Sequence, residues 1–367
     1  MAFSVLSTTG PDAETWRALL ARLPQAMTDI HFLPEYARIY ELTYGVEAGL
    51  SVWREGERFA AMPFILRGLD GMDFLRAAGE TGFVDAATPY GFGGAVWLAD
   101  DDDEALRLFA RCDAGHLEHL RARGAATEFQ CLHPLLGNHR LARRAGLPVT
   151  PRKEVAVVDL RQSEAALWTG LNRGNKSSIN KARREGVRVV LARPEPALLA
   201  RFESMYRATM TRLGAAEHWF FPDGYFARCE ELLGPERCLF FLAMVGDTPA
   251  SCFQILRHGP TAYYHFAGTD PDYFPLRPNN LLMWEVMLWA KSRGCVRLHL
   301  GGGVGDAEAD SLMRYKQGFT RGTETLYTMG RVVRQDVYDR LCELKRRHET
   351  RELGAPLTGD YFPLYRR

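Results

Sequence analysis

Two stretches of the chain share one hydrophobic pattern, in which an apolar run, a short Gly-containing turn and a second apolar run follow each other. Residues 50–68 read LSVWREGERFAAMPFILRG, and residues 239–259 read LFFLAMVGDTPASCFQILRHG. Such turns between strand-like runs are typical of β-hairpins. Both hairpins contain Ile-Leu-Arg, beginning at Ile65 and Ile255. This agreement favours an internal duplication over a chance match.

The elements around the two hairpins also repeat. In the first half, the pattern predicts helices at 13–23 and 34–43, then after the hairpin a helix at 104–123 and a strand at 127–131. In the second half, it predicts helices at 194–212 and 222–233, then after the hairpin a strand at 261–268, a helix at 280–293 and a strand at 296–300. The repeated order predicts an α/β fold of two tandem domains, each a mixed twisted sheet flanked by helices.

The join between the halves is marked by Pro148, Pro151 and a short apolar run at 154–160. We therefore place the first domain at residues 1–155 and the second at 156–350, with 351–367 as a tail that packs on the body. A chain of 367 residues suits two domains of about 100–200 residues each.

Composition narrows the class of protein. The chain is 46% hydrophobic and 25% charged, as in ordinary globular proteins. It has neither a long apolar segment nor the start of a secretory signal, which predicts a cytoplasmic location. The seven cysteines are scattered without a C-x-x-C pair, so neither a disulfide framework nor a zinc finger is expected. The net charge of +1 restricts any nucleic-acid contact to a local patch.

One such patch is residues 173–188, RGNKSSINKARREGVR, with six basic residues and one acid. Arg173, Lys176 and Lys181 are candidates for binding the phosphates of a nucleotide, coenzyme A or tRNA, an attraction that salt would weaken. The alternative is a solvated basic helix face.

A second candidate site lies in residues 261–280, TAYYHFAGTDPDYFPLRPNN. Strand alternation predicts that Tyr263 and His265 share one face, while Tyr264 and Phe266 share the other. A long helix then begins, and a helix amino terminus can receive an anion or an oxyanion. The alternative is a buried aromatic strand.

A third is the glycine-rich run GGGVG at 301–305 and the helical segment that follows it. Helical spacing places Ser311, Tyr315 and Phe319 on one face, with Lys316 beside them. Lys316 could neutralise negative charge developing on a carbonyl oxygen, or hold a phosphate. The run has neither the G-x-G-x-x-G spacing nor the Lys-Ser/Thr of a Walker loop.

The loop TPYGFGG at 88–94 in the first half could line a pocket with backbone donors, and it brings in Tyr90 and Gly91. It could equally be a generic turn. His116 and His119 lie three residues apart on a helix, but we predict no metal site, because no carboxylate or cysteine partner is evident.

Several of these segments, in order, resemble the Fem-like branch of the GNAT acyltransferase superfamily. They are the basic run at 173–187, YYHFAGTD at 263–270, WEVMLWA at 284–290, RLHLGGG at 297–303 and SLMRYKQGF at 311–319. The resemblance implies two GNAT-like domains, the first on the acceptor side and the second carrying the donor and the chemistry. Members include enzymes that move an amino acid from aminoacyl-tRNA to an amine, and others described as acetyltransferases.

The resemblance also implies roles for single residues. Lys316 and Tyr315 would lie beside the reacting ester, and Tyr264 and His265 would line the acceptor channel. Family members that use nucleotide-sugar acceptors carry a basic residue on the helix matching Glu35–Glu41, where this chain has Tyr40, with Arg38 as a possible substitute.

Those members also have an R-G-P-V loop. This chain has YGFGG at residues 90–94 instead, which includes Tyr90 and Gly91. A UDP-linked muropeptide acceptor is therefore not expected. We assign Arg38, Tyr40, Tyr90 and Gly91 to acceptor binding.

The resulting hypothesis is aminoacyl transfer from aminoacyl-tRNA to an amine of a small or peptide-like acceptor, with no cofactor beyond that co-substrate. Asp306, Glu308 and Asp310 are candidates for a general base. The alternatives are an N-acyltransferase that uses acyl-CoA, and a non-catalytic GNAT-like binding protein.

Overall fold

The chain folds into two compact units. The computed structural model describes residues 2–303, 310–353 and 361–367. Unit 1 comprises residues 1–27, 31–152 and 326–367, and unit 2 comprises residues 28–30 and 153–325. The expected division at 155/156 and 350/351 therefore differs from the observed one mainly at residues 326–350, which belong to unit 1.

Unit 1 contains a mixed sheet and its helices. In chain order they are β1 (Ala2–Ser7), α1 (Gly10–Leu20), α2 (Pro34–Tyr44), β2 (Glu47–Glu55), β3 (Arg58–Gly68), α3 (Asp73–Ala78), β4 (Val84–Ala87), β5 (Val96–Leu98), α4 (Asp102–Ala122), β6 (Ala125–Leu132) and α5 (Asn138–Arg144). The chain passes into unit 2 within β7 (Val149–Asp159).

Unit 2 has the same kind of architecture. Its elements are α6 (Glu164–Gly170), α7 (Arg173–Arg184), β8 (Arg188–Ala192), α8 (Pro196–Arg212), α9 (Tyr225–Leu233), β9 (Cys238–Val245), β10 (Thr248–His258), β11 (Thr261–Thr269), α10 (Pro278–Ser292), β12 (Arg297–Gly302) and α11 (Ser311–Gln317). The chain returns to unit 1 within β13 (Thr323–Val332), and α12 (Gln335–Leu353) follows.

The two sheets have one topology. In unit 1 the strand order is β1-β2-β3-β4-β6-β13, with β5 beside β3, and in unit 2 it is β8-β9-β10-β11-β12-β7. Strands β4 and β6 are parallel, and so are β11 and β12, and in each case a long helix, α4 or α10, connects the two strands. The predicted α/β fold, with mixed strands flanked by helices in each half, is confirmed, and the same type of hairpin occurs in both halves.

The last strand of each sheet explains the difference in the domain boundaries. Residues of β13 from Tyr327 to Val332 pair with β6, and residues of β7 from Val155 to Asp159 pair with β12. The strand that follows each half in sequence thus completes the sheet of the other half. Chain order alone does not reveal such an exchange.

The core of unit 2 lies between its sheet and the helices α7 and α10. Helix α10 is apolar nearly all round, and Leu282, Met283, Val286 and Met287 are fully buried in this cluster, as expected for a helix inside a protein. The amino terminus of α10 lies at the end of β11, where Thr269 Oγ1 donates to Asn279 Oδ1 at 3.0 Å.

The tail from Tyr361 to Arg367 packs on unit 1. Tyr365 is fully buried, and its hydroxyl lies 2.6 Å from Thr127 Oγ1. Arg366 forms an ion pair with the buried Asp85. Within the parts of the chain that the structure describes, no helix is long and apolar enough to cross a membrane.

Candidate active site

The site in unit 2 begins at a β-bulge in β11. Along β10 and β11 the register passes from Gln254–Phe266 to Ile255–Tyr264, so His265 is the extra residue. A bulge of this kind turns the side chains that follow it to the opposite face. Tyr264 accordingly packs on Phe253, with 4.7 Å between ring centroids, whereas Phe266 packs on Tyr206 of α8.

The bulge corrects one prediction. Regular alternation placed Tyr264 and Phe266 on the same face, and this is wrong, because the extra residue shifts the alternation between them. The half-buried His265 lies with its ring centroid 4.1 Å from that of Phe266.

Lys316 of α11 lies on the same side as Tyr264. Its Nζ atom is 5.9 Å from the Tyr264 ring centroid and donates a hydrogen bond to the Gly302 carbonyl oxygen at 2.6 Å. The residue is only 6% exposed. Burial, and secondarily the charge of Lys153, lower the pKa of Lys316 to about 7, although Asp310 acts in the opposite direction. Lys316 can therefore exist in both protonation states near neutral pH.

Gly301 provides the space for this lysine. It has φ = +80°, and a Cβ atom built on it would lie 3.1 Å from Lys316 Nζ. The neighbouring Lys153 donates to the Gly303 carbonyl oxygen at 3.0 Å. Gly302 and Gly303 thus present their backbone carbonyl groups to two ammonium groups.

Tyr315 joins α11 to the start of α10. Its hydroxyl donates to the Asn279 carbonyl oxygen at 3.0 Å, and its ring contacts Phe319 edge to face at 5.2 Å. Burial, with a smaller contribution from Tyr264, raises the pKa of Tyr315 well above its ordinary value. Tyr315 therefore stays protonated near neutral pH.

A cluster of asparagines lies beside Tyr315, and sequence reasoning did not single it out. Asn280 Nδ2 donates to Asn175 Oδ1 at 3.1 Å, and Asn172 Oδ1 caps α7 by accepting from the Asn175 backbone N–H at 2.7 Å. Asn175 is 7% exposed, and its Nδ2 has no hydrogen-bond partner among the described residues. The signal that could have revealed this cluster was a polar residue, Asn175, at a buried position of the basic helix.

Of the three candidates for a general base, the structure describes only Asp310. Asp310 caps α11, because its Oδ1 accepts from the backbone N–H groups of Leu312 and Met313 at 2.9 and 3.0 Å. A carboxylate used in this way is a structural cap. Asp306 and Glu308 lie outside the described residues.

The three predicted phosphate-binding residues lie on α7. Arg173 is exposed, and Lys176 and Lys181 are half-buried. Lys176 donates to the Thr169 carbonyl oxygen at 2.9 Å. The segment is therefore a basic helix of unit 2 whose amino terminus adjoins α11 through the hydrogen bond from Asn172 N to Gly318 O.

The four residues assigned to acceptor binding lie in unit 1. Tyr40 is stacked on Tyr44 and packs on Tyr36, and the Tyr36 hydroxyl donates to the Tyr90 carbonyl oxygen at 2.6 Å. The structure thus brings Tyr40 and Tyr90 to one place through Tyr36.

Gly91 and Arg38 are constrained differently. A Cβ atom on Gly91 would clash with the His31 ring, so the loop passes tightly over that ring. Arg38 is held by Glu41, 2.9 Å away, rather than joining the tyrosines.

We predicted no metal site at His116 and His119 because no carboxylate partner was evident, and that premise is wrong for His116. His116 does have a carboxylate partner, because its Nε2 lies 3.0 Å from Glu128 Oε1 and its Nδ1 lies 2.8 Å from Ser51 Oγ. Glu128 also pairs with Arg331, and these side chains form a buried network in unit 1.

A family model matches the part of the chain that contains this site. Residues 173–317 match the model of the acetyltransferase (GNAT) domain, and this segment contains Tyr264, Tyr315 and Lys316. Unit 2 therefore resembles the acetyltransferase (GNAT) domain over most of its length. A search of the curated proteins found no match.

Solved structures show a similar fold over about nine tenths of the chain. FemX superposes with a TM-score of 0.68 at 13% identity, covering 92% of this chain and 99% of FemX. The C-terminal domain of a putative lysylphosphatidylglycerol synthetase from Agrobacterium fabrum gives 0.52 at 14%, covering 92% and 95%. A tandem GNAT protein from the clavulanic acid biosynthesis pathway gives 0.51 at 12%, covering 91% and 98%. The resemblance to the Fem-like branch is confirmed at the level of the fold.

Proposed function

We propose that this protein transfers an aminoacyl group from aminoacyl-tRNA to an amine of a small or peptide-like acceptor. The observation that carries the proposal is the buried Lys316. Its Nζ lies beside the ring of Tyr264, the residue that precedes the bulge in β11. An ammonium group in a site of low dielectric stabilises a developing oxyanion far better than it would in water.

The reaction exchanges an ester C–O bond for an amide C–N bond and moves one proton. The acceptor nitrogen attacks the ester carbonyl carbon, and the new C–N bond replaces the C–O bond to the terminal ribose. The amine loses one proton, and the ribose hydroxyl gains one. Lys316 would face the carbonyl oxygen as it becomes negative, while Tyr315 holds α11 against α10.

The remaining roles follow from position. Arg173, Lys176 and Lys181 of α7 would meet the phosphates of the donor, as expected for exposed and half-buried cations. His265 and Tyr264 would line the path of the acceptor in unit 2. Tyr40, Tyr90, Gly91 and Arg38 would bind the acceptor in unit 1, where an aromatic cluster and a tight loop can enclose a small molecule.

The fold supports an aminoacyl donor. FemX and the putative lysylphosphatidylglycerol synthetase share the fold, and the second name contains an aminoacyl group. A second candidate function is transfer from an acyl-CoA. It is favoured by the acetyltransferase description of the matched domain and by the mention of AcCoA for the tandem GNAT protein.

The two donors can be separated directly. The purified protein is incubated with an amine mixture and either ¹⁴C-aminoacyl-tRNA or ¹⁴C-acetyl-CoA, and label in amide products is counted. The proposal expects transfer from aminoacyl-tRNA that RNase treatment of the donor abolishes. Transfer from acetyl-CoA alone would establish the second candidate, and transfer from neither would support a binding protein without catalysis.

A further inference from the structure

Unit 2 has an open groove on the side of α7, with a volume of about 370 Å³. Its walls are formed by Glu164, Ala165 and Trp168 of α6, Arg183 of α7 and Trp284 of α10. The volume lies at the lower end of the range for ligand pockets, about 300–1,000 Å³. No residue of this groove is among those assigned to the transfer chemistry above.

The groove is lined by two indole rings and a guanidinium group. The half-buried Trp168 packs edge to face on Trp284, with 5.0 Å between ring centroids, and Trp284 is only 2% exposed. The Arg183 guanidinium carbon lies 5.9 Å from the Trp168 ring centroid. Glu285 holds the same guanidinium through a 3.0 Å ion pair. The stacking surface is therefore positioned before any ligand arrives.

Indole rings and guanidinium planes are the groups on which single-stranded bases stack. The exposed Glu164 adds a carboxylate at the rim, and carboxylates accept hydrogen bonds from the exocyclic amino groups of bases such as cytosine. Helix α7, which contributes Arg183 to the groove, also carries Arg173, Lys176, Lys181 and Arg184, and such positive charge suits phosphates. These features together fit a nucleobase in a phosphate-bearing chain.

The position of the groove suits the end of an RNA strand. Trp284 follows Asn279, the residue bound by Tyr315, by five positions. At a rise of 1.5 Å per residue this is about 7.5 Å along α10, or roughly two nucleotides at a spacing of about 3.4 Å. The 3′ end of tRNA is the single strand CCA, and each of its bases carries an amino group.

We propose that this groove binds a base of the single-stranded 3′ end of RNA, about two nucleotides before the one that carries the acyl group. This inference rests on the proposed function and specifies how the donor is recognised. The base stacks on Trp168 and Arg183, and Glu164 accepts a hydrogen bond from its amino group.

The first test measures the binding of a fluorescently labelled ACCA ribonucleotide by anisotropy. Trp168→Leu should weaken binding roughly tenfold or more, since stacking on one aromatic side chain contributes that much. Its salt dependence should stay unchanged because no phosphate contact is lost. Trp168→Phe, which keeps a ring, should recover most of the affinity, and circular dichroism verifies the fold of both variants.

Arg183 and Arg184 form a matched pair, because they are adjacent on α7 and both exposed, but only Arg183 lines the groove. Arg184→Ala removes one charge and should weaken binding by less than about fivefold. Arg183→Ala should weaken it roughly tenfold or more. Equal effects of the two substitutions would mean that Arg183 contributes only its charge to binding, and this would overturn the inference.

Kinetics separate this inference from the proposed function. If aminoacyl transfer occurs and Trp168→Leu raises the KM for aminoacyl-tRNA without lowering kcat, both stand. If transfer occurs with an unchanged KM, the groove assignment fails and the function survives. If the ACCA ribonucleotide binds in a Trp168-dependent way without any transfer, the function fails. Binding of coenzyme A but not of RNA overturns the inference.

Discussion

Gly301 and Lys316 are packed so closely that a Cβ atom on the glycine would lie 3.1 Å from the lysine Nζ. The two residues are 15 positions apart, at the end of β12 and near the end of α11. The glycine sits at φ = +80°, where an L-residue is strained. The space and the backbone conformation at Gly301 thus both serve the lysine.

Gly301→Ala should therefore lower activity beyond its effect on folding. We expect a loss of about 1–2 kcal/mol of stability from the backbone, and a displaced Nζ that reduces kcat. Gly294→Ala is the matched control, because Gly294 has φ = +78° and a methyl group added there would have no atom within 4 Å. Urea unfolding and transfer assays on both variants test this, and equal kcat values would contradict it.

Replacing Lys316 should separate its charge from its packing. Lys316→Met should lower kcat roughly 100-fold to 1,000-fold, the usual effect of losing one oxyanion-stabilising group, while thermal unfolding shows that the protein is still folded. An undiminished kcat would favour a non-catalytic role for this site.

The pH dependence of kcat/KM tests whether Lys316 acts in its charged form. The pKa of Lys316 is about 7, so the charged form is lost as the pH rises through that value. With hydroxylamine, an acceptor that is neutral at pH 7, kcat/KM should fall above pH 7. Lys316→Arg, which remains charged, should show no such fall in its residual activity. A rate that increases through pH 7 would instead indicate a basic role for the amine.

The same pKa affects stability. Because the pKa of Lys316 falls from 10.5 to about 7 on folding, the unfolded chain binds more protons between these pH values. The contribution of Lys316 to stability is therefore fully present above pH 10.5 and decreases as the pH falls toward 7, with a slope of up to about 1.4 kcal/mol per pH unit.

Denaturant titrations of the wild type and Lys316→Met between pH 7 and pH 9.5 measure this effect. The difference in unfolding free energy between them should grow in favour of the wild type as the pH rises. A difference that is constant across the range would mean that Lys316 is not desolvated in solution.

Tyr315→Phe tests whether Tyr315 is a positioning residue. The substitution removes the hydrogen bond to the Asn279 carbonyl, which should cost about 0.5–1.5 kcal/mol of stability. Because α11 then loses an attachment to α10, kcat should fall by several-fold to about 100-fold, with little change in the pH profile.

Tyr206→Phe is the control for this change, since the Tyr206 hydroxyl also donates to a backbone carbonyl, that of Trp219, at 2.8 Å. It lies on α8, on the opposite face of the sheet from Lys316. The two variants should lose similar stability, but only Tyr315→Phe should lose turnover. A fall in kcat for both would point to a general effect on the fold.

The sequence by itself determined the local structure. Apolar periodicity and turn residues located both hairpins, α10 and the helix carrying Tyr315 and Lys316, because these patterns depend on neighbours a few residues apart. It also revealed the duplication and the Fem-like order of motifs.

The tertiary structure decided what depends on distant partners. The bulge at His265 arises from pairing with β10, so regular alternation failed for Phe266. The Asn175–Asn280 contact joins residues 105 positions apart, and the exchange of β7 and β13 moved a domain boundary. Above all, Lys316 acquires its lowered pKa by leaving water, and desolvation is a property of the packed structure that no segment of the sequence contains.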